Sequence, residues 1–339
     1  MYLPPRNQNR RFALCLSDCV TRTSYSHCSL SVSQWFSFFL MPIIYRDLTP
    51  DDIPAGLRLC RIAGWNQLAA DWELFLHLSP RGCRAAVQDG KVVGTVTTVN
   101  YENRFAWVGM VLVDPETRGQ GVGTQLLQEA MSILRGIPSI RLDATPQGRP
   151  VYQRLGFEDE YELCRMQRAE ITVADRPRDL SPRPLSSTVR QTEEFSVRPM
   201  KDEDLATVGE ADRSIFGADR HEILQWALQQ SPEYAWICLS SAGLEGYCFG
   251  RRGFNFDQIG PVHSPSELVS QTLVSTCLAS MKPGTRMIVD PLLHSPSWID
   301  WLGQSGFVLQ RPFTRMTLGE NCHLGIPEEM WTMFGPEFG

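Results

Sequence analysis

The sequence predicts an α/β chain made of two tandem copies of one domain, each a sheet flanked by helices. Three observations carry this. Residues 107–134 run from an apolar strand through the glycine-rich turn Arg118-Gly119-Gln120-Gly121-Val122-Gly123 into an amphipathic helix. Strand-like and helix-like segments alternate from residue 43 to residue 168. The opening pattern of that stretch then restarts at Phe195, after a Pro- and charge-rich segment.

The elements follow in order. Residues 43–47 read as a first strand. Thr49-Pro50-Asp51-Asp52 supplies helix-start chemistry, an N-cap candidate followed by Pro and early acids, and the helix runs through Ile53, Leu57 and Cys60. A second short helix spans residues 68–77. Residues 83–88 alternate as a strand, Asp89-Gly90 is a hairpin turn, and residues 91–99 are its partner. Residues 105–113 form the next strand and 123–134 the helix after the glycine turn. Residues 140–144 are a strand, 149–155 a short helix, and 161–168 a returning strand.

Residues 171–194 read as a linker because Pro and charge dominate there, as in Arg176-Pro177-Arg178-Asp179. The domains are therefore set at 41–170 and 195–339. The run Ser196-Val197-Arg198-Pro199-Met200 mirrors Ile44-Tyr45-Arg46-Asp47-Leu48, and Trp301-Leu302-Gly303-Gln304-Ser305-Gly306-Phe307 echoes Tyr152-Gln153-Arg154-Leu155-Gly156-Phe157. The repeat, roughly 150 residues long, is a domain duplication and not a solenoid.

Composition narrows the function classes. The chain has 339 residues, 42% hydrophobic and 21% charged, with net charge −6, which argues against general nucleic-acid binding. No apolar run reaches the ~20 residues of a membrane span. The ten cysteines include no C-x-x-C pair and no Cys/His cluster with zinc spacing, so no metal is expected. Scattered single cysteines fit a reducing compartment, and the expected location is cytoplasmic. Residues 1–40 carry Arg6, Arg10, Arg11 and Arg22, many serines and the single acid Asp18. A transit peptide is one reading of that composition. The favoured one is an extension outside the fold, poorly packed, ahead of a domain that starts near Met41.

The turn at 118–123 is built for an anion. Its glycines let backbone N–H groups converge, the helix N-terminus adds partial positive charge, and Arg118 adds a full one. The spacing is not the dinucleotide fingerprint G-x-G-x-x-G, and no Gly-Lys-Ser/Thr follows to make a P-loop. With Val113, Pro115 and Arg118 ahead of Gly121 and Gly123, and with Tyr152, Gly156 and Phe157 downstream, the stretch from about Pro42 to Arg168 closely resembles the GCN5-related N-acetyltransferases. That resemblance implies two acyl-CoA N-acyltransferase domains, each with a mixed, mostly antiparallel sheet. It implies acetyl-CoA as co-substrate, with Arg118, Gly119, Gln120, Gly121, Val122, Gly123 and Thr124 on the pyrophosphate. Backbone groups of Met110, Val111, Leu112 and Val113 lie along the pantetheine arm, one N–H near Met110 or Val111 polarising the thioester carbonyl.

The implied reaction is direct attack of an amine on the thioester. Tyr152 occupies the family's general-acid position, and a phenol is acidic enough to protonate a thiolate. A carboxylate is needed to free the amine of its proton; Glu102, Asp143 and Asp71 are the candidates, and nothing in the sequence selects among them. In tandem relatives of the YitH-like type a G-W-N-Q…D-W segment lies over the active site. The resemblance therefore implies acceptor roles for Trp65, Asn66, Asp71 and Trp72, with core packing of both tryptophans as the competing reading. From the second domain, Asp219 and Arg220 of Phe216-Gly217-Ala218-Asp219-Arg220 are expected to complete the pocket, with a surface ion pair as the competing reading. The second copy has Ile259-Gly260-Pro261-Val262-His263-Ser264-Pro265 where the glycine turn would stand, and Pro265 has no N–H to donate, so it should hold coenzyme A poorly. The expected partner is a small-molecule amine, with no nucleic acid and no membrane, and the oligomeric state is open. The alternatives are a protein acceptor and a non-catalytic acyl-CoA sensor.

Overall fold

The computed structural model describes residues 42–171 and 195–339. The extension 1–40 and almost all of the linker lie outside the described residues. The first half contains β1 (Ile44–Asp47), α1 (Ile53–Ile62), α2 (Ala69–Leu78), β2 (Arg84–Gln88), β3 (Lys91–Tyr101), β4 (Phe105–Val113), α3 (Val122–Ile133), β5 (Ser139–Ala144), α4 (Arg149–Arg154) and β6 (Glu158–Arg168). The second half repeats this as β7 (Ser196–Pro199), α5 (Leu205–Phe216), α6 (His221–Gln230), β8 (Trp236–Ser240), β9 (Gly243–Arg251), β10 (Asp257–His263), α7 (Glu267–Ser280), β11 (Met287–Val289), α8 (Pro296–Gln304) and β12 (Val308–Gly319), then adds β13 (Met330–Thr332). No described helix is long and apolar enough to cross a membrane.

The duplication is visible in single bonds. In the first half Asp52 stands at a helix start, where it accepts from the Thr49 N–H and takes both guanidinium nitrogens of Arg46 at 2.6 and 2.8 Å. In the second, Asp204 accepts from the Lys201 N–H and takes Arg198 at 2.7 Å twice. The same strand residue thus pins the same helix start in both copies.

All thirteen described strands belong to one sheet, in the order β1-β2-β3-β4-β5-β12-β6-β11-β10-β9-β8-β7, with β13 on β10. The centre of that order shows an exchange that the sequence pattern does not reveal. β5 pairs antiparallel with β12 of the other half, from Ala144↔Thr314 to Ser139↔Gly319. β11 pairs in turn with β6, from Met287↔Arg168 to Val289↔Met166. Each half lends its last long strand to the other, and β6 and β12 pair with each other between them. β6 starts three residues before the strand expected at 161, because Glu158 and Asp159 find ladder partners in Thr317 and Met316.

The exchange is sealed by two buried ion pairs at related positions. Arg315 of β12 reaches Asp143 at the end of β5, at 2.5 and 3.1 Å. Arg165 of β6 reaches Asp290, just past β11, at 2.7 Å twice. The main core runs through both halves. Phe75, Trp107, Phe216 and Tyr247 share it with Phe334 and Phe338 of the closing segment. Phe338 stacks on Phe75 with ring centres 4.4 Å apart.

Candidate active site

The turn after β4 has the shape of an anion cradle. A 3-10 turn, Pro115–Thr117, is capped by Asp114, whose carboxylate accepts from the Glu116 N–H and is held by Arg58 at 2.6 Å. Gly119 and Gly121 adopt φ of +80° and +82°, which a side chain would strain, and nothing lies within 4 Å of where their Cβ atoms would stand. The loop's outer face is therefore open. α3 begins with Gly121 as N-cap, and its first bond runs from the Gln125 N–H to Gly121 O. The N–H groups of Val122, Gly123 and Thr124 precede that bond and have no acceptor within the helix. Arg118 is exposed, with one bond of 3.3 Å from Nε to Val113 O. Free helix-end donors, a positive helix end and an available guanidinium suit a pyrophosphate, so these residues fit coenzyme A.

Beside the loop the sheet opens. β4 and β5 pair in parallel only at Ala106↔Ile140 and Trp107↔Arg141. Beyond these, β4 bulges against β3 around Met110, whose φ is +51°. Thr95 Oγ1 holds the bulge by donating to Met110 O at 2.9 Å. The gap is a cleft of about 460 Å³, partly open to solvent, with Val108, Gly109, Met110 and Val111 on one wall and Leu142, Asp143 and Thr145 on the other. Tyr152, Trp65, Gln67, Arg165, Arg311, Phe313, Pro336 and Glu337 complete the lining.

Tyr152 enters the cleft as expected from its position. Its ring lies over Gly148, where a Cβ would stand 2.9 Å from Cε2, and meets Phe157 edge-on. Burial pushes its phenol up to about 12, so it keeps its proton through neutral pH. Asp143 also lines the cleft, but both its oxygens are taken by Arg315. Burial raises its carboxyl, and Arg315 offsets only part of that.

The carboxylate with room for a ligand is Glu337, from the closing segment of the second half. It is buried, and its Oε1 accepts from Gln67 Nε2 at 2.8 Å and from Arg251. Its Oε2 has no hydrogen-bond partner among the described residues. Gly109 is what lets this segment approach β4, since a Cβ there would stand 2.9 Å from Glu337 O. Burial works to raise the Glu337 carboxyl, yet Arg251 and Gln67 outweigh it and hold the group below its ordinary 4.5. A depressed carboxyl stabilises the fold above its unfolded value, and that stability drains away as pH falls through the folded one. Thermal unfolding followed between pH 7 and pH 3 should therefore show a fall in Tm on the acid side of 4.5 that is shallower in Glu337→Gln.

Other expected site residues lie elsewhere, each for a physical reason. Trp72 is fully buried core, packed so closely that a Cβ on Gly56 would stand 2.8 Å from its ring. Asn66 is a latch between halves: Oδ1 accepts from the Asn255 and Phe256 N–H groups, and Nδ2 donates to Phe256 O. Asp71 caps α2 by accepting from the Leu68 N–H at 2.6 Å and pairs with Arg251 at 2.5 Å. Arg220 is buried against Asp212 and Phe216, and Asp219 caps the start of α6 through the His221 N–H. Glu102 is bound to Arg213 and to the Asp219 N–H, away from the cleft lining. Of the GWNQ…DW segment, Trp65 and Gln67 reach the cleft.

The second half has lost the corresponding gap. β10 and β11 pair in parallel from Asp257↔Met287 to Ile259↔Val289. Past that point β13 pairs with β10 at Val262↔Thr332 and His263↔Met330, and Pro291 bridges to Thr332. A strand of the same chain thus fills the place where the first half opens. Trp331 adds a bond from Nε1 to Ser264 O at 2.8 Å, in the turn that carries Pro265. Among the described residues no group of three or more His, Cys, Asp or Glu is placed to hold a metal.

Comparison with known proteins agrees with this architecture. The model of the "Acetyltransferase (GNAT) family" matches residues 44–157, and that of an "Acetyltransferase (GNAT) domain" matches residues 208–335. The chain is 24% identical to holothin acyltransferase of Pseudoalteromonas sp. (strain SANK 73390), over 72% of this chain and 76% of that protein. It is 26% identical to the uncharacterized N-acetyltransferase YitH of Bacillus subtilis (strain 168), over 77% of this chain and 86% of that one. A putative acetyltransferase from Pyrococcus horikoshii shares the fold, with TM-score 0.70, 21% identity, and coverage of 89% of this chain and 97% of that one. With a strand–glycine turn–helix cradle in one half, its filled counterpart in the other and a family match on each, the chain belongs to the GCN5-related N-acetyltransferase (GNAT) family and is a tandem-domain N-acetyltransferase.

Proposed function

We propose that this enzyme moves the acetyl group of acetyl-CoA to the primary amine of a small molecule by direct attack. The observation that carries the reading is the cleft itself. One cavity is lined by the β4 backbone at the bulge, the Tyr152 side chain and the carboxylate of Glu337. The cofactor cradle opens beside it, at the end of β4. The β4 wall orients the thioester, and an N–H at the bulge polarises its carbonyl. Glu337 holds the incoming ammonium and takes its proton, which the open side passes to water. The amine nitrogen bonds to the carbonyl carbon, the carbon–sulfur bond breaks, Tyr152 gives the departing sulfur its proton, and the new amide nitrogen sheds its second proton, which restores the Tyr152 phenol. The closing segment and Trp65 narrow the acceptor side, which supports a small molecule over a protein acceptor.

The test is release of free thiol from acetyl-CoA against amino acids, polyamines and amino sugars, with Arg118→Ala beside the native enzyme. Release with one amine class, at a sharply raised KM for acetyl-CoA in the variant, is expected. Binding of coenzyme A without release for any amine would point to a sensor. Tyr152→Phe should lower kcat by about ten-fold or more while sparing the KM of acetyl-CoA. An unchanged kcat would remove the proton-donor role.

A further inference from the structure

Resting on that reading, we propose that the acceptor carries an acidic group as well as its amine, and that Arg311 binds it. Of the four charged side chains in the cleft, three are matched. Asp143 has Arg315, Arg165 has Asp290, and Glu337 has Arg251 and Gln67. The Arg311 side chain has no ion pair and no hydrogen bond among the described residues, and its guanidinium lies 5.1 Å from the centre of the Phe313 ring. It stands directly opposite Arg165 across the β6–β12 ladder, a like-charge pairing that costs stability, and the carboxylate of Asp290 is bonded to Arg165 and not to Arg311. Its Nε is buried without a partner. In the same cleft Gln67 Oε1 is buried without one. Two polar atoms of residues lining one cavity thus lack a partner, and each calls for an explanation such as a ligand or an ordered water.

The charge balance gives that ligand its form. Arg251 serves both Asp71 and Glu337, which leaves one negative charge in excess at Glu337. Arg311 leaves one positive charge in excess. The two are not paired with each other. A zwitterion answers both ends: its ammonium at Glu337 and Gln67 Oε1, its carboxylate or phosphate on the Arg311 fork, its body against Trp65 and Phe313. Burial, and Arg165 nearby, lower the Arg311 guanidinium to about 10, although the charges of Asp290 and Glu337 act to raise it. A polyamine satisfies only half of this site.

The experiment uses the full chain and matched acceptors: L-amino acids beside their decarboxylated amines, and O-phosphoethanolamine beside ethanolamine. In the native enzyme the acid-bearing member should be preferred in kcat/KM by at least about ten-fold. The two arms tell carboxylate from phosphate. Arg311→Gln should erase the preference with the KM of acetyl-CoA unchanged, and Arg311→Lys should restore part of it. Equal use of both members, or a preference that survives in Arg311→Gln, would overturn the proposal and leave acetyl transfer standing. If no amine releases thiol, calorimetric titration of the same compounds with coenzyme A present decides. Binding of the acid-bearing members that Arg311→Gln abolishes supports the inference even as the transfer reading fails, and no such binding sinks it.

Discussion

Removing residues 334–339 should abolish acetyl transfer and take most of the stability with it. Phe334 and Phe338 are both fully buried, and truncating a core Phe costs about 3–5 kcal/mol. The same segment supplies backbone acceptors to the first half: Tyr101 Oη donates to Phe338 O at 2.6 Å and Trp107 Nε1 to Pro336 O at 2.9 Å. It also supplies Arg220 with Gly339 O and Arg251 with Glu337. Its loss leaves Tyr101 Oη, Trp107 Nε1, Arg220 Nη1 and Gln67 Nε2 without these acceptors and takes one carboxylate from Arg251, in a fold whose whole margin is about 5–15 kcal/mol. Thermal unfolding of the shortened chain should show a much lower Tm or no cooperative transition. A Tm close to that of the full chain would mean that the segment only decorates a first half able to stand by itself.

The second large effect concerns the exchanged strands. Arg315→Met should destabilise by about 3–5 kcal/mol, since it strands the buried Asp143 carboxylate without its counter-charge. Asp143→Asn should cost a comparable amount for the converse reason. The double variant should recover much of the loss, because replacing a buried pair with neutral groups avoids the cost of burying either charge alone. Urea unfolding of the four proteins yields the coupling directly. Additive losses would show that the two residues do not act as a pair and would weaken the pairing of β12 with β5.

Much of this molecule was legible in the sequence where local chemistry decides the outcome. The glycine turn is required by positive φ at Gly119 and Gly121, Asp52 and Asp204 sit where helix starts need an acceptor, and Tyr152 follows from its place before Gly156-Phe157. Polar residues bound across the duplication were not legible. Asn66 and Asp71 look like a pocket because they are polar beside aromatics, yet their partners are Phe256 and Arg251, 190 and 180 positions away. The strand exchange was hidden because β6 and β12 are copies: either could complete either half, and periodicity does not say which does. Glu337 does leave a trace in the sequence. A single acid among Phe334, Pro336 and Phe338 is apolar-flanked, and such an acid is buried only when a cation and donors await it.

Steady-state kinetics on Arg118→Ala and Glu337→Gln, run side by side with the best acceptor, would test the division of labour most directly. The first half should hold acetyl-CoA and the second should complete the acceptor site through its closing segment. Arg118→Ala should then raise the KM of acetyl-CoA and leave that of the acceptor. Glu337→Gln should raise the acceptor KM, lower kcat and leave the KM of acetyl-CoA. Acceptor constants unchanged by Glu337→Gln in a folded protein would contradict the account.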